Sequence, residues 1–282
     1  MDTPGFKTIL CPVDFGELSA HALRHANLLA ACGNARVIAL YTNWFEAPPY
    51  FTAGRVDELQ KQYREAFVEA ERSLKAFVGS TLGENAGNIE TRVVEAMPVD
   101  GIRELATTTD ADLIVMGTHG RSGFNRWMLG SVTERILRES TVPLLTVRAA
   151  PRGPVRRILS PIDGTEASRN AFRLAAQLGA CFNAEITAVY VHESGVAQPS
   201  PDLCTWIADE ARKRCNIREL VRHGDPAQEI VALATEEAFD LLVIGAPHRR
   251  FFEGQVLGTT TLRAVRHAPC LVLTVSGPGE VR

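Results

Sequence analysis

The chain has 282 residues, of which 45% are hydrophobic, and it carries a formal net charge of −3 with a sequence pI of about 6.2. This length predicts two domains with packed cores, and the acidic balance argues against a nucleic-acid binder that works by bulk positive charge. The N-terminus lacks the apolar core of a signal peptide, and no stretch approaches the length of a membrane span. We therefore expect a cytoplasmic protein with no membrane or nucleic-acid partner.

The chain repeats itself. Residues 7–41 align without gaps on 156–190, at an offset of 149, and residues 111–147 align on 239–275, at an offset of 128. The offsets differ by 21, so the second copy is shorter by 21 residues in its middle. The repeat predicts one domain at 1–149 and another at 154–282, with a Pro- and Gly-containing linker around 148–157.

Short apolar runs alternate with stretches of helical period in the first copy. The predicted strands are Ile9–Val13, Val37–Tyr41, Ile89–Val94, Leu113–Met116 and Leu144–Val147, and the predicted helices are 17–33, 56–79, 99–109 and Ser131–Glu139. The counterpart of 56–79 shrinks to 203–214 in the second copy. Strands that alternate with helices form parallel, doubly wound sheets. We predict an α/β fold of two tandem Rossmann-like five-stranded sheets, the second with a shortened middle helix.

The six cysteines are scattered and include no C-x-x-C pair; they are Cys11, Cys32, Cys181, Cys204, Cys215 and Cys270. This pattern favours reduced thiols in a cytosolic protein over a disulfide framework or a zinc site. His21 and His25 stand one turn apart on the first predicted helix and could clamp a metal ion. Because no third ligand is nearby in sequence, we interpret them as part of an exposed helix face.

Four glycines lie between the fourth strand and the helix that begins at Ser131; they are Gly117, Gly120, Gly123 and Gly130. In an open parallel sheet, ligands bind beyond the carboxyl ends of the strands, where the strand order reverses. Asp14 ends the first strand and Gly117 the fourth, so both can face one crevice. Glycine permits positive φ and a close approach of backbone N–H groups to an anion, and a helix N-terminus favours phosphate.

Two interpretations of these residues stay open on local chemistry alone. One is a phosphate cradle. The other is plain helix capping, because Ser131–Glu134 matches a capping box and Asp14–Glu17 could cap the first helix. The chain has no Walker loop, nucleophile elbow or kinase motif, and no nucleophile is paired with an obvious base. This favours a protein that binds a nucleotide over an enzyme with rapid turnover.

The spacing Gly117-x2-Gly120-x9-Gly130-Ser131, preceded by "ADLIVMG" and by a first strand ending "CPVD", resembles the universal stress protein family. The resemblance covers nearly the whole chain as two fused domains. It implies an adenine nucleotide hydrolase-like fold, ATP with or without Mg²⁺, and a role as a stress-response sensor or regulator. The binding residues that it implies are Pro12, Val13, Asp14, Leu40, Met116, Gly117, Gly120, Arg121, Gly130, Ser131, Val132 and Thr133.

The resemblance also implies that the last strands of the two domains pair with each other, here within one chain, and it leaves a homodimer of whole chains open. A slow ATPase, or a second domain that holds a non-nucleotide ligand, remains an alternative. The second copy keeps a weaker set of site residues: Asp163, Gly245, Gly258 and Thr259. His248 replaces Gly120 there, and Pro247 replaces His119. Proline offers no N–H, and histidine would be strained at a positive φ, so we expect unequal pockets.

Overall fold

The computed structural model describes residues 5–44, 53–120, 129–193, 215–246, 248–251 and 254–276, with the backbone alone described for 53–60, 248–251 and 254–257. The strands in these ranges are β1 Thr8–Pro12, β2 Arg36–Thr42, β3 Ile89–Val94, β4 Leu113–Gly117, β5 Leu144–Val147, β6 Arg157–Pro161, β7 Glu185–His192, β8 Ile217–His223, β9 Leu241–Ala246, β10 His248–Phe251, β11 Gly254–Leu257 and β12 Leu271–Ser276.

The helices of the described ranges are α1 Glu17–Ala30, α2 Ala53–Leu82, α3 Pro98–Thr108, α4 Ser131–Glu139, α5 Glu166–Phe182, α6 Pro226–Glu236 and α7 Thr259–His267, with a 3₁₀ turn at Gly83–Asn88. The predicted helix 17–33 ends earlier, at Ala30, because the chain reverses at Asn34 with a left-handed φ of 54°. The Ala35 N–H then donates to the Ala30 carbonyl at 3.0 Å. The segment 203–214, predicted as a shortened helix, lies outside the described residues.

Ten strands form one continuous sheet in the order β3-β2-β1-β4-β5-β12-β9-β6-β7-β8. The strands are parallel within each domain, and β5 pairs antiparallel with β12, with Leu145 opposite Leu273. The predicted pairing of the two last strands within one chain is therefore confirmed. Its consequence is that the two expected five-stranded sheets are fused into one of ten strands.

The junction between the domains has approximate two-fold symmetry. The Thr146 hydroxyl donates to the Val272 carbonyl at 3.2 Å, and the Thr274 hydroxyl donates to the Leu144 carbonyl at 3.2 Å. Each bond is the counterpart of the other at the repeat offset of 128. These buried bonds satisfy hydroxyls that would otherwise be costly inside the sheet.

Helices cover both faces of the sheet and enclose two apolar cores. α1, α2 and α5 lie on one face, and α3, α4, α6 and α7 lie on the other. Side chains alternate along the junction strands, so Leu145 and Leu273 enter the first core while Leu144 and Val272 enter the second. Each core therefore extends through both domains. Within the described ranges, no helix combines the length and the apolar character that crossing a membrane requires.

Cys32 and Cys181 form a disulfide bond, with Cα atoms 5.7 Å apart, so the prediction of reduced thiols is wrong for this pair. The two residues are counterparts in the repeat, and the two-fold arrangement brings the ends of α1 and α5 together across 149 residues of sequence. Burial raises the pKa of the Cys11 thiol and raises that of Cys270 to about 12. Cys204 lies outside the described residues.

Substitution of Leu273 by proline tests the β5–β12 junction. Leu273→Pro removes a ladder donor from β12, the strand that pairs with β5 on one side and with β9 on the other, and we expect a loss of about 3 kcal/mol or more in unfolding free energy. We also expect faster proteolysis of the linker at 149–156. Denaturant unfolding and limited proteolysis measure both effects, with Arg152→Pro in the exposed linker as the proline control. Unchanged stability and protease resistance would contradict the assigned junction.

Reduction of the disulfide should destabilise the domain pair. A closed loop of this length contributes about 5 kcal/mol in the chain-entropy model, so a reductant or Cys32→Ser should lower the thermal midpoint clearly. Cys215→Ser is the control, since its thiol donates to the Ala176 carbonyl within one domain. Peptide mapping without reductant should recover Cys32 bonded to Cys181. A reductant that still lowers the midpoint of Cys32→Ser would contradict the assignment.

Candidate functional site

A crevice opens in the first domain where the strand order reverses. β1 pairs with β2 on one side and with β4 on the other, and the chain leaves β1 and β4 towards opposite faces of the sheet. Asp14 follows β1, and the loop after β4 brings Gly120 to it. A Cβ atom placed on Gly120 would lie 3.1 Å from Oδ2 of Asp14. The Asp14 carboxylate therefore faces the glycine loop at the switch point, as the sequence predicted.

Hydrogen bonds fix the orientation of Asp14. Its Oδ1 accepts the Gly16 N–H at 2.9 Å and also accepts the Ser19 hydroxyl, while the Asp14 N–H donates to the Ser19 oxygen at 3.1 Å. The N-cap of α1 is Gly16, so the expectation that Asp14 could cap this helix is wrong. Asp14 instead closes a turn before α1. Ser19 is a residue of the candidate site that sequence reasoning missed, although its match with Ser168 in the repeat was a visible signal.

Phe15 adopts a left-handed backbone conformation, with φ of 62°. Such a conformation strains a residue with a bulky side chain by about 1–3 kcal/mol. Its ring lies 4.6 Å from that of Tyr41 and 5.6 Å from that of Phe77, between ring centroids. The second-domain counterpart is Gly164, with φ of 88°. Both copies thus use the same turn, and aromatic packing offsets the strain in the first.

Gly117, Gly120 and Gly130 allow a close approach of neighbouring atoms, as expected, but the expectation of positive φ is wrong for these three; Gly123 lies outside the described residues. None of Gly117, Gly120 and Gly130 lies in the left-handed region. A Cβ on Gly117 would lie 2.7 Å from Cβ of Leu18, which places α1 directly against the end of β4. Gly130 lies against the backbone of residues 118–120, and its N–H donates to the Thr118 carbonyl at 2.7 Å.

α4 begins at Ser131 without a side-chain cap. Its N-cap is Gly130, and Ser131 is the first helical residue, so the predicted capping box is wrong. The Thr133 hydroxyl is buried and donates to the Gly117 carbonyl at 2.9 Å, which ties the first turn of α4 to the end of β4. Ser131 is exposed. The start of α4 therefore keeps the character of an anion-binding helix terminus.

The other predicted residues of the first site differ in how they could meet a ligand. Val13, Leu40 and Met116 have buried side chains, and the Val13 N–H donates to the Leu40 carbonyl at 2.7 Å. These three can offer a ligand little beyond their backbone. Pro12 and Val132 are half-buried, and Arg121 lies outside the described residues.

The His119 side chain contacts its own loop. Its Nδ1 lies 3.0 Å from the Thr118 hydroxyl, and its Nε2 is buried. Burial lowers the pKa of His119, and the charge of Arg148 lowers it further. The ring is therefore held neutral beside the junction between the domains.

The second crevice keeps the frame but changes the loop. The Thr261 hydroxyl donates to the Gly245 carbonyl at 2.9 Å, as Thr133 does to Gly117, and Gly258 precedes α7 without a side-chain cap. Thr259, the first residue of α7, is exposed. After β9, however, β10 and β11 pair as an antiparallel hairpin that begins at His248. Pro247 lies outside the described residues.

Asp163 closes the same kind of turn as Asp14 but bonds a different hydroxyl. It is exposed, and its Oδ1 accepts the N–H and the hydroxyl of Thr165 at 2.9 and 2.6 Å. Thr165 is the counterpart of Gly16 and serves as the N-cap of α5. The two crevices are therefore unequal in the described residues, for reasons that include the turn after the first strand as well as the loop.

His21 and His25 do not form an exposed helix face, contrary to the prediction. His25 is buried, and its Nε2 lies 3.2 Å from the Ala149 carbonyl, in a setting where burial lowers its pKa. The His21 side chain is only 12% exposed, with Nε2 3.8 Å from Glu17. The face of α1 that carries them packs where β5 leads into the linker, a contact that helix periodicity alone could not show.

The fold defines a tandem, doubly wound α/β protein in which the strand order reverses once in each domain. The family model described as "Universal stress protein family" matches residues 5–148 and again 154–276. The chain therefore belongs to the universal stress protein family, as the glycine spacing indicated.

Individual relatives agree with this assignment. A universal stress protein of Methanocaldococcus jannaschii is 33% identical over 147 residues, which cover 51% of this chain and 82% of that protein. Universal stress protein G of Salmonella typhimurium is 30% identical over 146 residues, covering 51% of this chain and 99% of that protein. The crystal structure of a universal stress protein from Archaeoglobus fulgidus aligns with a TM-score of 0.71 at 20% identity, covering 98% of this chain and 99% of that one, and so supports the fold.

Alanine at Gly117 tests why glycine is needed at the end of β4. The new Cβ would meet Leu18 at 2.7 Å, so we expect Gly117→Ala to lower the unfolding free energy by about 1–3 kcal/mol. Gly79→Ala is the control, because a Cβ there meets no atom within 4 Å and alanine suits a helix interior. Denaturant unfolding compares the two. Equal stability of both variants would show that α1 does not press on this strand end.

Proposed function

We propose that the first domain holds ATP in the crevice between β1 and β4, and that the chain acts as a stress-response sensor or regulator and not as a fast catalyst. The observation that carries the proposal is the convergence of Asp14, Gly120 and the uncapped start of α4 at the switch point. A carboxylate beside a helix terminus suits a ligand with hydroxyls at one end and phosphates at the other.

Different residues of the crevice would contact different parts of the nucleotide. Asp14, held by Gly16 and Ser19, would accept hydrogen bonds from the ribose hydroxyls. The backbone N–H groups at Gly120 and Ser131, with the exposed Ser131 hydroxyl, would hold the phosphates, while Gly130, whose N–H donates to the Thr118 carbonyl, would fix the loop beside them. Pro12, Leu40 and Met116 would line the adenosine end. Mg²⁺ would accompany the phosphates, and the bound triphosphate would supply a charged group whose presence other proteins can read.

The second crevice would bind ATP weakly. Residues 248–251 and 254–257 pair with each other in a hairpin, so backbone N–H groups that could face a phosphate are used in a ladder. Copy two therefore keeps the first turn of α7 but lacks the glycine-lined loop, and we propose one tight ATP for each chain.

A turnover assay distinguishes a protein that binds ATP without hydrolysing it from a slow ATPase, which remains the alternative. The former should leave bound ATP intact for hours, and identification of small molecules that purify with the protein would show whether the second domain carries a different ligand. Steady release of ADP and phosphate by the pure chain would favour the enzyme.

Histidine at Gly120 copies the change of the second domain into the first. The imidazole would enter the space that faces Asp14, where a Cβ already lies 3.1 Å from Oδ2, so we expect Gly120→His to raise the Kd for ATP at least about tenfold, or 1.4 kcal/mol. Calorimetry measures the affinity and the stoichiometry. Gly87→His is the control, because a Cβ at Gly87 meets no atom within 4 Å. Two equivalents of tight ATP in the wild type, or full binding by Gly120→His, would rule out the proposed asymmetry.

A further inference from the structure

Two arginines share the carboxylate of Glu134 in the first turn of α4. Oε1 of Glu134 accepts from Nη2 of Arg138 at 2.8 Å, one turn along the same helix. Oε2 accepts from Nη2 of Arg266 at 3.1 Å, and Arg266 belongs to the last turn of α7 in the second domain. The Glu134 and Arg266 side chains are 26% and 37% exposed, so this interdomain ion pair is only partly screened by water.

The second domain also holds the other end of α4. The Ser276 hydroxyl, at the end of β12, donates to the carbonyl of Ser140, which is the C-cap of α4, at 3.0 Å. Strand β11 lies beside the same helix. α4 is therefore attached to the second domain near both of its ends.

The reverse attachment is weaker. Arg148 of the first domain donates to the carbonyls of Val265 and Arg266 at the C-terminal end of α7. The first turn of α7, however, runs Thr259-Thr-Thr-Leu262 and contains no charged residue, with Leu262 as the counterpart of Glu134. The two-fold frame is thus symmetric, whereas the ion pair that reaches the start of α4 has no equivalent on α7 among the residues that the structure describes.

We propose that Arg266 is a positioning residue for the first site: through its ion pair with Glu134, the second domain fixes the first turn of α4 against β4 and so orders the N–H groups that meet phosphate. The ion pair and the bond from Thr133 to the Gly117 carbonyl hold the same turn. Ordering these donors before the ligand arrives lowers the entropy lost on binding.

Arg266 has a second, electrostatic effect at the same place. A carboxylate near the start of a helix opposes an incoming anion, and Glu134 lies only three residues beyond Ser131. Two arginines on one carboxylate reverse the sign of that local charge. The proposal rests on the proposed function, because it assumes that the ligand presents an anionic group to α4.

The test compares Arg266→Gln with Arg263→Gln in the full-length chain. Arg263 lies on the same helix but pairs with Asp225 inside the second domain at 3.0 Å. Arg266→Gln should speed amide hydrogen exchange at residues 130–134 without ligand, and raise the Kd for ATP by about three- to tenfold at low salt, with a smaller effect at high salt. Arg263→Gln should change neither, and Arg266→Lys should restore part of the affinity.

The Glu134→Gln background shows whether Arg266 acts through Glu134. There, Arg266→Gln should add no further change in exchange, and it should raise the Kd less than it does with Glu134 present, since only the direct effect of its charge on the ligand remains. Unchanged exchange in Arg266→Gln, or an equal effect in both backgrounds, would overturn the proposal. If wild type does not bind ATP but Arg266→Gln still loosens residues 130–134, the proposed ligand is wrong and the positioning of α4 by Arg266 stands.

Discussion

The antiparallel pairing of β5 with β12 is the interaction on which the rest of the molecule depends. It joins two parallel sheets edge to edge, covers a strand edge of each domain, and lets each apolar core pass through both domains. Because strands run in opposite directions on the two sides of this junction, the carboxyl ends of β1 and β4 lie at the opposite sheet edge from those of β6 and β9. The two crevices therefore face away from each other, and each lies near the amino-terminal strand ends of the other domain.

The sequence predicted most of what depends on local pattern and on the repeat. The positions of the strands and the two-domain division follow from the hydrophobic pattern and the repeat, and the pairing of the two last strands was expected from the family resemblance. It could not predict contacts made by packing between distant segments. Cys32 meets Cys181 because equivalent residues near a two-fold axis approach each other, and the buried position of His25 depends on the path of the linker at Ala149. The repeat match of Cys32 with Cys181 was visible in the sequence but did not show that the pair lies near the axis, and the contact of His25 leaves no spacing signal.

The glycines show that a motif can locate a site correctly while the physical explanation given for its residues is wrong. The glycine spacing located the crevice, but Gly117 is required by the closeness of Leu18, and Gly120 leaves room beside Asp14. Positive φ is instead found one residue after Asp14, at Phe15, where a glycine would have been expected and Gly164 occurs in the second copy. The aromatic contacts of Phe15 with Tyr41 and Phe77 help to hold a conformation that its side chain disfavours. The strained residue and the carboxylate are thus parts of one turn.

In a fused pair of domains, the two ligand pockets can become different while the strand pairing that joins the domains stays symmetric. Changes such as Gly16 to Thr165, or a loop to the hairpin of β10 and β11, alter the second crevice and leave the β5–β12 junction untouched. The end of α7 that reaches the first domain is its C-terminal end, remote along the helix from the second crevice. The second domain can therefore diverge at its own ligand site while Arg266 and Ser276 continue to hold α4, so the two parts of this domain are free to serve different purposes.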